Sequence, residues 1–176
     1  MAIILVKSGL MFVHIPKCYG HWVEAVLSAN NIRFRQAECR REQVCPRHGR
    51  RIDYEPVKSA FCFLRPVDEW MRSYWQYHVQ KLSVEGYEET KFWVRGVKYH
   101  HRHLGPPMPS YDEWVLRRPE CESYLQMMAG DCDNVLQGGD PCCALTTVLR
   151  QAGYSISADQ VRRVPPANVS GVITNA

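Results

Sequence analysis

Residues Phe12 to Trp22 read FVHIPKCYGHW, and the order of features in this stretch decides the fold class. The apolar run Leu10 to Ile15 has the length and composition of a buried strand. It breaks at Pro16, passes Lys17 and Gly20, and enters the helix-prone stretch Trp22 to Ala29. Strand, tight turn and helix in that order aim backbone N–H groups and the positive end of the helix dipole at whatever occupies the turn, which makes an anion site. Lys17 adds a mobile point charge of the kind that partners phosphate. The spacing is not that of the ordinary nucleotide loop G-x-x-x-x-G-K-[ST]. Here the lysine precedes the glycine, and Cys18 follows the lysine.

Working outward, Ala60 to Leu64 (AFCFL) is a second short apolar run bounded by turn residues, as expected of a buried parallel strand. It leads into a predicted helix over Asp68 to Lys81, with Trp70, Tyr74 and Tyr77 at helical spacing. Ser110 and Glu113 form a capping-box pattern ahead of Trp114, Val115 and Leu116; Pro119 and Gly130 bracket another helix. Asn134 to Gln137 reads as a strand, and Asp140-Pro141 opens a helix running to Gly153. This alternation predicts an α/β protein with three layers and a mainly parallel central sheet. The stretch 86–109, with His100, His101, His103 and several prolines, reads as an irregular insertion of the kind that shapes a substrate pocket.

The chain has 176 residues, 45% apolar and 23% charged, which suits one domain with a buried core, taken here as 1–176. No run approaches the roughly 18 apolar residues of a membrane span, and no basic segment precedes the apolar start, so a soluble, cytoplasmic protein is expected. The eight cysteines lack the regular spacing of a disulfide scaffold and are read as mostly reduced thiols. Cys39, Cys45 and His48 lack an anchoring C-x-x-C pair, so no metal site is expected. The net charge of +4 is concentrated in residues 33–51, where seven arginines oppose Glu38 and Glu42. That lobe is either a solvated loop or a lure for anionic ligands. Phe34 is its one aromatic residue, so base stacking, and with it a nucleic-acid partner, is not expected.

Arg65 follows the AFCFL strand directly, and Ser73 lies eight residues on along the next helix, in FCFLRPVDEWMRSYW. A guanidinium at a strand end and a helix hydroxyl can together hold a second phosphate. The two segments jointly resemble the sulfotransferases that use 3′-phosphoadenosine 5′-phosphosulfate (PAPS). His14, Ile15, Pro16, Lys17, Gly20, Trp22 and Val23 match the phosphosulfate loop HIPKTGGTWV in register, with Cys18, Tyr19 and His21 replacing Thr, Gly and Thr. Arg65, Glu69, Trp70, Arg72, Ser73, Tyr74 and Trp75 match the form RHPLEWLRSYW, with the proline displaced to Pro66. Arg163, Asn168, Val169 and Ser170 resemble the family's terminal hvNvS segment, and the chain ends six residues later without a legible closing helix.

The resemblance implies a P-loop NTPase-like fold and an enzyme that moves a sulfuryl group from PAPS to a hydroxyl or amine of a carbohydrate or small metabolite. It implies Lys17 as the cation at the leaving oxygen. Backbone groups of Cys18, Tyr19, Gly20, His21 and Trp22 would hold the 5′-phosphate, and Arg65 with Ser73 the 3′-phosphate. His48, between the two motifs, is the candidate general base, since histidine suits that task near neutral pH. A non-catalytic nucleotide- or anion-binding member of the same fold is the alternative, favoured by the three loop replacements. A P-loop kinase stands third, because it would want Ser or Thr at position 18 and an acid for Mg²⁺.

Overall fold

The computed structural model describes residues 2–40, 49–85, 92–94, 97–99 and 110–165. Two compact units make up the chain. The first comprises Met1–Arg65 and Met128–Ala176, and the second is the intervening Pro66–Met127.

The first unit is built on a five-stranded mixed sheet in the order β3-β1-β2-β4-β7. β1 (Ala2–Leu5) and β2 (Met11–Val13) form an antiparallel pair in which every residue is buried. They turn at Gly9, whose φ of 69° lies in the left-handed region that glycine enters without strain, and the turn closes through Leu5 N–H to the Leu10 carbonyl at 2.9 Å. β3 (Phe34–Gln36) adds antiparallel to β1, while β4 (Ala60–Leu64) pairs parallel with β2 and β7 (Asn134–Gln137) parallel with β4. The sheet is thus mixed rather than mainly parallel. The sequence reading did not include β1, whose four residues are a shorter apolar run with no turn residue ahead of it, or β3, which lies inside the arginine-rich stretch.

Between β2 and β3 runs α1 (Gly20–Ala29), which buries Trp22, Val23, Val26 and Leu27 on one stripe. After β7 come α5 (Pro141–Gln151), burying Leu145, Val148 and Leu149, and the short α6 (Ala158–Arg162), burying Val161. Asp140 caps α5 by accepting from Cys142 N–H at 2.9 Å, ahead of Pro141 in the first turn, as its sequence pattern predicts. Asp133 fastens the entries of the two parallel strands, accepting from Ala60 N–H at 2.7 Å and from Arg51 at 2.8 Å.

The second unit holds α2 (Val67–Glu85), β5 (Phe92–Val94), β6 (Val97–Tyr99), α3 (Tyr111–Val115) and α4 (Arg118–Ala129), whose last residues belong to the first unit. Trp70 and Tyr74 stack at 4.8 Å, Tyr74 lies parallel to Trp114 at 6.0 Å, and Trp70 meets Tyr124 at 5.8 Å. Ser110 and Glu113 cap α3 reciprocally, as the sequence predicts. Part of the expected irregular insertion is regular, because β5 and β6 pair antiparallel; their β-prone FWV and VKY runs explain it. Its histidines, His100, His101 and His103, lie outside the described residues. No helix among the described residues is long and apolar enough to cross a membrane.

Candidate functional site

The parallel strands β2, β4 and β7 direct their carboxyl ends to one edge of the sheet, where ligands of open α/β sheets gather. From that edge spring the loop Ile15–Tyr19, Arg65, and the pair Gly138-Gly139 leading to α5. The loop is held against its own preference. Lys17 and Tyr19 both adopt the left-handed region, with φ of 61° and 62°, which costs about 1–2 kcal/mol for each residue bearing a Cβ. Such conformations persist only where the surroundings impose them.

Three contacts do so. Cys18 N–H donates to the Ile15 carbonyl at 3.1 Å, closing the turn. The wholly buried Cys18 sulfur accepts from the Arg65 backbone N–H, tying the loop to the end of β4; burial pushes this thiol up to about 12, against the opposing pull of that N–H and of the Arg65 charge. Beneath Gly20 lies the His14 imidazole, so close that a Cβ at position 20 would fall 2.0 Å from His14 Nε2. His14 is buried and stacks on Phe12 at 6.3 Å. Only glycine lets α1 start over that ring.

Positive charge collects on this frame. The Arg65 guanidinium lies 4.4 Å over the Tyr19 ring, which itself packs edge-on to Trp22 at 5.8 Å and Phe63 at 5.5 Å. The Lys17 ammonium is held below the usual lysine range, first by burial and then by the Arg65 charge. Two cations thus feel one another across the loop. The first hydrogen bond of α1 runs from Val23 N–H to the Tyr19 carbonyl at 2.9 Å, leaving the amides of Gly20, His21 and Trp22 ahead of the helical ladder. Tyr19 supplies no side-chain cap, and no acidic residue stands in the first turn. Arg65 Nε is buried and meets no acceptor among the described residues. Lysine, guanidinium and uncapped amides together suit an oxyanion and would repel a cation.

The residues picked out from sequence fall as follows. Lys17, Tyr19, Gly20 and Arg65 come together at the loop, and His21 is exposed on the first turn of α1. Cys18 has its amide committed to Ile15 and its side chain buried as a strut, so its contribution is to the frame. Trp22 is likewise buried, its Nε1 donating to the Val164 carbonyl at 2.9 Å, which fixes the C-terminal segment to α1. Ser73 is buried on α2, in the second unit. His48, Asn168, Val169 and Ser170 lie outside the described residues, while Arg163 is exposed just after α6. His14 and Phe63 were given no role from sequence. Their signal was positional, since each stands at or just past the end of a strand that leads into the site.

No protein-family model, no curated protein and no solved structure matches the chain.

Proposed function

We propose that this chain is a sulfuryl transferase that takes its group from PAPS and passes it to a hydroxyl or amine acceptor, on a sheet of the three-layer P-loop NTPase-like kind. The observation that carries the reading is the uncapped N-terminus of α1, with Lys17 in the loop before it and the Arg65 guanidinium over the Tyr19 ring at its cap. In sulfuryl transfer the acceptor attacks sulfur in line, and negative charge grows on the oxygen left behind on the 5′-phosphate. A preorganised cation aimed at that oxygen lowers the barrier, whereas one bound equally well to the ground state would not. Lys17 has this role, and the amides of Gly20, His21 and Trp22 hold the phosphate. Ser73 enters as the 3′-phosphate partner of Arg65 through its sequence register alone.

Calorimetry with 3′,5′-diphosphoadenosine against AMP tests the ligand class. Preference for the diphosphate supports PAPS, and equal or absent binding of the two would sink it. Lys17→Ala is expected to lower the rate of radiolabelled sulfate transfer by about 10²–10³-fold, the loss typical of one transition-state donor, while diphosphoadenosine binding largely persists.

A second reading, a nucleotide- or anion-binding module without turnover, draws on the Tyr19 ring, which fills space beside Arg65 that glycine would leave open. Binding of the diphosphate with no transfer to any acceptor in a hydroxyl and amine panel would favour it. The kinase reading is weakened by Cys18, whose buried thiol stands where a hydroxyl on Mg²⁺ is needed.

A further inference from the structure

We propose that His21 is the group that takes the acceptor's proton, with the buried His14 as the residue that positions it. The inference rests on the sulfuryl-transfer reading and adds to it a general base on the first turn of α1. His21 is the second residue of α1, exposed, on the same first turn whose amides lie ahead of the helical ladder. Its ring meets His14 edge to face at a centroid distance of 5.7 Å. His14 is itself confined between Phe12, at 6.3 Å, and the backbone of Gly20. A side chain on a helix start would otherwise sample several rotamers; contact with a confined ring narrows that choice. Of the charged and titratable residues nearby in the chain or at the same sheet edge, Lys17 and Tyr19 precede it in the loop, Glu24 follows it by three residues on α1, and Arg65 stands at the end of β4. No carboxylate stands in the first turn of α1.

In the step itself the acceptor's proton passes to the unprotonated imidazole nitrogen of His21 as the acceptor oxygen or nitrogen bonds to sulfur. The bond from sulfur to the bridging oxygen breaks, and its electron pair stays on the 5′-phosphate of the leaving 3′,5′-diphosphoadenosine beside Lys17. Solvent then removes the proton from the imidazolium. His14 takes no part in the bond changes.

The experiment is the pH dependence of transfer by the parent, by His21→Gln and by His14→Gln, with diphosphoadenosine affinity measured for each. The parent rate is expected to rise with pH along a one-proton limb. His21→Gln is expected to lose that limb and about 10²-fold in rate, to regain rate with added imidazole, and to bind diphosphoadenosine within about twofold of the parent. His14→Gln is expected to keep the limb at a reduced maximal rate. A His21→Gln protein that keeps the limb, or loses diphosphoadenosine affinity instead of rate, overturns the inference alone. A parent that binds no diphosphoadenosine or transfers no sulfate overturns the reading beneath it and the inference with it. Since His21 is exposed, its replacement leaves the core untouched, and an unchanged melting temperature confirms this.

Discussion

Gly20 is the residue on which the loop turns, and the reason is contact as well as conformation. An alanine methyl there would have to share space with the His14 ring, whose nearest atoms lie 2.0, 2.1 and 2.4 Å from the ideal Cβ. His14 cannot swing aside freely, because it is buried against Phe12. Gly20→Ala is therefore expected to cost about 1–3 kcal/mol, the usual range for overpacking, read as a fall in the urea midpoint without a change in slope. Adding His14→Ala to Gly20→Ala should return part of that loss, since the added methyl then has room. A double mutant whose destabilisation equals the sum of the two single changes would show that the contact is not the cause. Tyr19 presents the opposite case. Its left-handed backbone would suit the glycine that a phosphosulfate loop carries there, yet its ring is packed against Arg65, Trp22 and Phe63. The strain at Tyr19 is thus held by side-chain packing. That explains how a residue with a Cβ occupies the position.

At the scale of elements, the two strands that feed the site, β2 and β4, and the helices that follow them were legible because local chemistry and tertiary role agree. Phe12 and Phe61 sit in short apolar runs that end at Pro16 and Pro66, and Asp140-Pro141 and Ser110 with Glu113 mark helix starts that the structure keeps. β1 and β3 were not legible. Ala2–Leu5 is apolar throughout, so nothing in it distinguishes a central strand from a buried helix turn, and Phe34–Gln36 is a strand only because β1 offers it an edge. The site divides in the same way. Lys17, Gly20 and Arg65 follow from spacing, whereas the His14 ring under Gly20 follows from a backbone approach that no local pattern encodes. Helix α6 went unread too, although Ser157 and Gln160 make a reciprocal cap like that of Ser110 and Glu113. That cap matters more for a helix of five residues than for a long one, because so short a helix has little ladder of its own. Ser157→Ala should cost about 1 kcal/mol, measured by chemical denaturation. Ser157→Thr should retain most of the stability, and equal losses for the two would show that the hydroxyl is not the cap.

At the scale of the molecule, the first unit is laced by carboxylates that each join separate segments. Glu55 meets Arg35 of β3 at 2.8 Å and the Glu38 amide at 3.0 Å; Asp133 joins the entries of β4 and β7; Asp140 joins α5 to Arg162 of α6 at 2.8 Å. Glu55 is held down at about 2, chiefly by the Arg35 hydrogen bonds. Asp133 lies below the usual carboxylate range, chiefly through the Ala60 amide, and so does Asp140, chiefly through Arg162. A carboxyl whose folded pKa is depressed binds its proton more weakly than in the unfolded chain, so its contribution is fully present above the unfolded value and disappears as pH falls through the folded one. The melting temperature should therefore decline from about pH 5 toward pH 2. Each pair is solvent-exposed and worth little singly, so the decline should be gradual and should shrink with added salt where it comes from Arg35 and Arg162. The bonds from the Ala60 and Glu38 amides are not ion pairs and should survive salt. Glu55→Gln and Asp133→Asn combined should flatten the acid limb relative to the parent, because the groups that release stability on protonation are then absent. An acid limb as steep in that double variant as in the parent would place the acid sensitivity on other carboxylates and remove these two from the account.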